Sequence, residues 1–127
     1  MGGRVLINAM DVKADLLILE QAFPDTATYA GALAAILNGI TSLLSRRSPG
    51  GELKHALPGW RKHKCASPGS ARLDLRIVFR ADADRVELLG FGHRDDPWDL
   101  YGYIAPRAPI RKTDRPTDRG RSPEDQP

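Results

Sequence analysis

A single cysteine, Cys65, stands in a chain of 127 residues. One thiol excludes an internal disulfide and suits a reducing, cytoplasmic setting. No apolar run approaches the roughly 20 residues that cross a bilayer, so no membrane association is expected. The opening stretch MGGRVLINAM is too short in apolar residues for a secretory signal. Metal-binding spacing is also missing, because His55, His63 and Cys65 do not supply the four convergent ligands of a zinc site. Gly90 and Gly92 are too sparse for a phosphate loop and suit close backbone approach within a sheet. No Ser-His-Asp set and no paired carboxylates stand out. Neither a metal nor a cofactor is expected.

Charge is what the chain does have, and it is unevenly placed. Residues 53–80 hold Lys54, Arg61, Lys62, Lys64, Arg72, Arg76 and Arg80 against Asp74 alone, whereas residues 81–104 hold six acids against Arg85 and Arg94. The formal net charge of +3 hides this, and the middle segment is a plausible footprint for a polyanion. The length suits one domain with one hydrophobic core, and 41% apolar residues is ordinary for a globular protein.

Periodicity gives the order of elements. RVLIN within Arg4–Met10 is rich in branched apolar residues and predicts a first strand. Asp11 is a good N-cap for a helix over VKADLLILEQAF, which Pro24 ends. Tyr29, Leu33, Ile36, Ile40 and Leu43 recur at steps of four and three, which predicts a second helix ending near Arg46-Arg47. With so short a link, the two helices pack as an antiparallel hairpin. Residues 60–65 predict a short strand, and SPGS at 67–70 a turn. In ARLDLRIVFR, Leu73, Leu75, Ile77 and Phe79 alternate with Arg72, Asp74, Arg76 and Arg80, the pattern of a strand with one buried face, Val78 excepted. ADAD at 81–84 predicts a tight turn, and RVELLGFG a central strand apolar on both faces. The fold class is therefore α+β, ordered β-α-α-β-β-β, with a helical hairpin on one face of a small, mostly antiparallel sheet. The expected boundaries are a domain over 1–105 and a disordered, Pro/Arg/Asp-rich tail over 106–127.

On such a strand Lys62 and Lys64 share a face, as do Arg72, Arg76 and Arg80, and the arginines would face the side open to solvent. Arg94 follows the last strand, and Tyr101 comes after a short acidic stretch. Lysines, arginines and a tyrosine on a shallow open sheet suit the phosphodiester of single-stranded RNA, since guanidinium groups match phosphate oxygens and rings stack on unpaired bases. Plainer readings stay open beside this one. RKHK also fits a solvated edge strand guarded by lysine, Arg94 fits a strand-end charge paired with Asp95 or Asp96, and Tyr101 fits packing as well as stacking. Tyr103 reads as packing, Trp60 as core or edge cover, His63 as partly buried, and Cys65 as a small buried residue.

Residues 60–101, WRKHKC through LDLRIVFRADADRVELLGFGHRDDPWDLY, resemble the core of the RelE/ParE-like toxins of bacterial type II toxin–antitoxin systems. The resemblance spans about residues 4–103 and is sharpest in RIVFRADADRVELLGFGHR with its downstream tyrosine. In the RelE branch it implies an mRNA interferase, an endoribonuclease that enters the ribosomal A site and cuts mRNA without a metal. There the ribose 2′-OH attacks the adjacent phosphate, leaving a 2′,3′-cyclic phosphate and a free 5′-OH. The catalytic positions implied are Lys62, Lys64, Arg76, Arg94 and Tyr101. Arg76 would hold the phosphate, one lysine would take the 2′-OH proton, Arg94 would stabilise or protonate the leaving oxygen, and Tyr101 would orient the nucleotide. Arg61, Arg72, Arg80 and His93 are further RNA-binding candidates, and His93 also stands near a position where some members of the superfamily place an acid or base. The implied partners are a cognate antitoxin, mRNA and the ribosome. Because the fold also hosts toxins that inhibit DNA gyrase without nuclease activity, and inactive relatives, those alternatives stand beside the first.

Overall fold

The computed structural model describes residues 4–45, 51–52, 57, 59–82 and 85–108. Its elements run β1 (Arg4–Leu6), α1 (Ala9–Ala22), α2 (Thr26–Leu44), β2 (Gly51–Glu52), β3 (Arg61–Cys65), β4 (Leu75–Asp82), β5 (Arg85–His93) and α3 (Leu100–Ile104). The strands form one sheet in the order β1-β5-β4-β3-β2. β1 runs parallel to β5, and the other pairings are antiparallel. The α+β class, the helical hairpin and the mostly antiparallel sheet are as expected. The two-residue β2 and the short α3 are additional. Lys54, His55, the Arg46-Arg47 helix end and residues 109–127 lie outside the described residues.

Local chemistry explains the helix ends. Asn8 caps α1, its side-chain oxygen accepting the Asp11 N–H at 3.0 Å, so the helix starts a turn before the expected Asp11 cap. Asp11 lies instead in the first turn, where a carboxylate favours the positive end of the helix dipole. Asp25 caps α2 by accepting the Thr28 N–H at 3.1 Å. Ala32, Ile36, Gly39 and Leu43 form the buried stripe of α2, with Tyr29, Leu33 and Ile40 half-buried beside it. By length and composition α2 is apolar enough to cross a membrane, against the expectation that no stretch comes near that limit. Here its buried stripe lies on the sheet. At Gly39 an added Cβ would stand 2.7 Å from Ile77 Cδ1 and 3.0 Å from His63 Cδ2.

Each face of the sheet has its own apolar cluster. Toward the hairpin, Leu19, Ile36 and Leu43 pack with Leu75, Ile77, Phe79, Val86, Leu88 and Phe91. On the opposite face Leu57, Trp60, Val78, Leu89, Leu100 and Ile104 form a second cluster. Val78, the residue out of step in the β4 alternation, is apolar because α3 and Trp60 cover the sheet there. The expected open face is thus partly closed. Leu73 departs from the pattern too: β4 begins only at Leu75, and Leu73 is 51% exposed.

Past α3 the chain turns back over the sheet. Arg107 donates from Nη2 to Asp15 Oδ1 at 2.9 Å, and from Nη1 to Asp15 Oδ2 at 3.0 Å and to the Leu89 carbonyl at 2.9 Å. Asp15, buried on α1, also accepts the Phe91 N–H at 3.2 Å. Arg107 is thus tied to α1 and β5, and Ala108 packs against the second apolar cluster. Composition hid this, because one arginine anchors the segment where apolar residues are scarce. Gly90 makes room for the pair: a Cβ there would meet Ile104 Cγ2 at 2.7 Å and Arg107 Nη1 at 2.9 Å. Gly90→Ala is expected to cost about 1–3 kcal/mol through overpacking, read as a lower denaturant midpoint with an unchanged m-value.

Candidate nucleic-acid interface

Strand register assembles the cationic site. In the β3–β4 pair Lys62 lies opposite Val78, and Lys64 lies opposite Arg76. Opposed residues share a face, so both lysines stand on the side of the sheet that carries Arg76. Like charges directly opposite one another destabilise a sheet. Keeping two cations there costs stability, and a bound anion would recover it. Arg94 continues the ladder past β5, its N–H donating to the Asp74 carbonyl at 2.9 Å, while its own carbonyl accepts the Leu100 N–H at 3.0 Å. The Lys62 ammonium titrates below its ordinary 10.5, through burial first and then the charges of Lys64, Arg76 and Arg94. Those three charges act on one amine, so the four side chains share one electrostatic neighbourhood.

Arg76 is the fixed member of the group. It is 5% exposed. Its Nε donates to the Tyr101 hydroxyl at 3.0 Å, and its Nη1 donates to the Leu73 and Leu75 carbonyls. Among the described residues Nη2 has no hydrogen-bond partner. Tyr101 is half-buried in α3 and packs against the second apolar cluster. It therefore packs and orients Arg76 at the same time. Among the described residues neither Lys62 nor Lys64 has a carboxylate partner. Arg94 pairs, among the described residues, only with Asp95, at 3.9 Å with both side chains largely exposed, a weak pairing in water. The rest of the acidic stretch builds the loop: Asp99 caps α3 by accepting the Gly102 N–H at 3.1 Å, and the Asp96 N–H donates to His93 Nδ1 at 3.1 Å.

The other sequence candidates do not join this group of four. Arg61 stands opposite Phe79, so strand parity puts it on the hairpin side, away from the lysines. Arg72 is exposed in the loop before β4 and does not share a strand face with Arg76. Arg80, expected on an open face, is buried. It pairs with Glu87 at 2.7 Å and lies 4.3 Å over the Trp60 ring, a cation–π contact that serves packing. His93 is opposite Leu75 and lies against Phe23, ring centroids 5.9 Å apart, so it too stands on the hairpin side. Its Nδ1 accepts the N–H groups of Asp95 at 3.2 Å and Asp96 at 3.1 Å.

Trp60 is core, and Tyr103 packs between Trp98 and Arg107. His63 is half-buried on the hairpin side, and burial holds its imidazole below the ordinary 6.5. Burial, helped by Asp74, pushes the Cys65 thiol up to about 11, so it stays protonated and unreactive at neutral pH. No cluster of three metal-ligating side chains forms among the described residues.

No protein-family model and no curated protein matches the chain. Among solved structures it is similar to the free-state structure of a mutant of the E. coli toxin RelE, at 16% identity and a TM-score of 0.47, over 87% of this chain and 98% of that one. The architecture described above rests on its own strand pairing and packing, not on this likeness.

Two contributors escaped the sequence reading. α3, which brings Tyr101 to Arg76, had a signal in Asp99 followed by LYGYI, an N-cap before apolar Leu100 and Ile104 at helical spacing. The Asp15–Arg107 pair joins the first helix to the end of the domain and leaves no local trace.

Proposed function

We propose that this chain is the toxin of a type II toxin–antitoxin system, an endoribonuclease that cleaves mRNA in the ribosomal A site. One observation carries the reading: Lys62, Lys64, Arg76 and Arg94 share one neighbourhood with almost no counter-charge among the described residues, and Arg76 is held rigid by Tyr101. The resemblance of residues 60–101 to the RelE branch agrees with it. So does the residue chemistry. Preorganised cations aimed at developing negative charge supply much of the rate enhancement in many enzymes, and an amine with a lowered pKa suits a proton acceptor.

In this mechanism the neutral Lys62 amine takes the proton of the ribose 2′-OH. The 2′ oxygen forms a bond to the adjacent phosphorus, and the bond from phosphorus to the 5′ oxygen breaks. Arg76 and Lys64 balance the charge gathering on the non-bridging oxygens. Arg94 stabilises the departing 5′ oxygen, which takes its proton from water because a guanidinium does not release one. The cytoplasm is the setting this function requires, with an antitoxin as its restraining partner.

The test is induction in cells followed by mapping of transcript ends, with Arg76→Gln alongside. New in-frame ends that appear only with the wild-type chain support the proposal. Intact transcripts together with inhibited gyrase supercoiling would overturn it.

The pH–rate profile identifies the base. Activity rises with pH as Lys62 loses its proton. Lys64→Met removes one cation that lowers the Lys62 pKa, so the rising limb should move to higher pH, and the plateau should fall as well because Lys64 also balances charge on the phosphate. A rising limb that keeps its position on the pH axis in Lys64→Met would show that Lys62 is not the base.

A further inference from the structure

Beyond the ends of β4 and β5 the chain forms a cleft of about 190 Å³, lined by Arg72, Leu73, Asp74, His93, Arg94 and Asp95 with Ser70 at its side. We propose that this cleft is a nucleobase pocket, holding the base next to the phosphate bound at Lys62, Lys64, Arg76 and Arg94, and favouring bases that carry an exocyclic amino group. The proposal rests on the RNA-cleaving function above and names which base that site reads.

Size comes first. Small-molecule sites are commonly about 300–1,000 Å³, so this cleft admits a single ring system rather than a whole nucleotide. Its walls suit a flat, partly apolar guest. Leu73 is 51% exposed, although its position in the β4 pattern predicts burial, and it lines the cleft. His93 cannot swing freely, because two backbone N–H groups hold its Nδ1 and Phe23 lies against its ring.

Polarity then narrows the choice of base. Both oxygens of Asp74 are engaged by Ser67, from its N–H at 2.8 Å and its hydroxyl at 2.6 Å. Asp95 is different: its carboxylate is 63% exposed, near His93 Nδ1 at 3.1 Å and Arg94 Nε at 3.9 Å. A carboxylate only accepts hydrogen bonds, so it matches the amino group of cytosine and not the carbonyl that uracil presents at the same place. The cleft also joins the phosphate site physically. Arg94 belongs to both, and the Leu73 carbonyl accepts from Arg76 Nη1.

The test titrates the full-length, isotope-labelled chain with cytidine 3′-monophosphate, uridine 3′-monophosphate and ribose 5-phosphate, following backbone amide shifts. Cytidine 3′-monophosphate should move the amides of Leu73, His93 and Asp95 as well as those around Lys64 and Arg76, whereas ribose 5-phosphate should move only the second group. Asp95→Asn, an exposed and nearly isosteric change, should reduce the preference for the cytidine nucleotide over the uridine one roughly tenfold, the size of one good base contact. Identical shifts with all three ligands, or an unchanged preference in Asp95→Asn, would overturn the pocket. Base-dependent shifts without any RNA cleavage would uphold the pocket and overturn the nuclease. Cleavage without base-dependent shifts would do the reverse.

Discussion

Arg76→Lys is expected to lose on the order of 10²–10³ in cleavage rate, the usual cost of removing one preorganised donor, while the protein remains folded. The charge survives this change, but the fork does not. Arg76 reaches Tyr101 through Nε and the Leu73 and Leu75 carbonyls through Nη1, and a lysine has no planar head to make these bonds together. Single-turnover cleavage of a defined message on purified ribosomes measures the effect. The loss should fall on the chemical step, with ribosome affinity little changed. Tyr101→Phe separates the two roles of the tyrosine. If its hydroxyl acts by orienting Arg76, the phenylalanine variant loses much of the activity although a ring remains for stacking. If stacking alone matters, activity stays near wild type and the orienting role is wrong. A fully active Arg76→Lys would remove Arg76 from the mechanism.

Arg107→Ala should be the most destabilising single change in the domain, at about 3–5 kcal/mol, since it leaves a buried carboxylate without its counter-ion. Stabilities of small domains are only about 5–15 kcal/mol, so much of the folded population would be lost on mild heating. The deficit depends on pH. Burial raises the Asp15 carboxyl above its ordinary 3.8, against the lowering influence of Arg107 and the Phe91 N–H. Without Arg107 the folded value rises further. A carboxyl with a raised folded value binds its proton more tightly folded than unfolded, so stability falls as pH climbs from about 3.8 through the folded value. The variant's deficit should therefore be smaller at pH 4 than at pH 7 in denaturant titrations. Replacing both residues with leucine should recover only part of the loss: no charge is left buried, but the Phe91 N–H and the Leu89 carbonyl lose their partners. Equal deficits at both pH values would show that Asp15 is not the group responsible.

Local periodicity made part of this molecule readable in advance. The alternation of Leu75, Ile77 and Phe79 with Arg76 and Arg80 gave β4 and its two faces, and the steps of three and four gave α2. Lys62, Lys64 and Arg76 came together because strand parity is a local rule, and register then placed Lys64 opposite Arg76. The failures share a different cause. Arg80 has the right parity but meets Glu87 and Trp60, which depend on how β3 and β5 flank β4. Arg61 carries its charge on the hairpin side of the sheet, and His93 faces that side too, at the end of β5 where the cleft opens. Arg107 looked like tail because composition scores a segment by what it could bury, whereas ion pairs with Asp15 and Asp11 hold it. Long-range pairing of that kind leaves no periodic mark.

The parallel pairing of Arg4 with Arg85 has a consequence for how the protein is made. The first strand to leave the ribosome must wait for nearly the last one before it finds its place, and contacts so distant along the chain are slow to close. Until β5 and α3 have emerged, Arg76 lacks the tyrosine that orients it. Under the proposed function, a nascent copy would stay inactive toward the ribosome that is synthesising it until α3 has emerged.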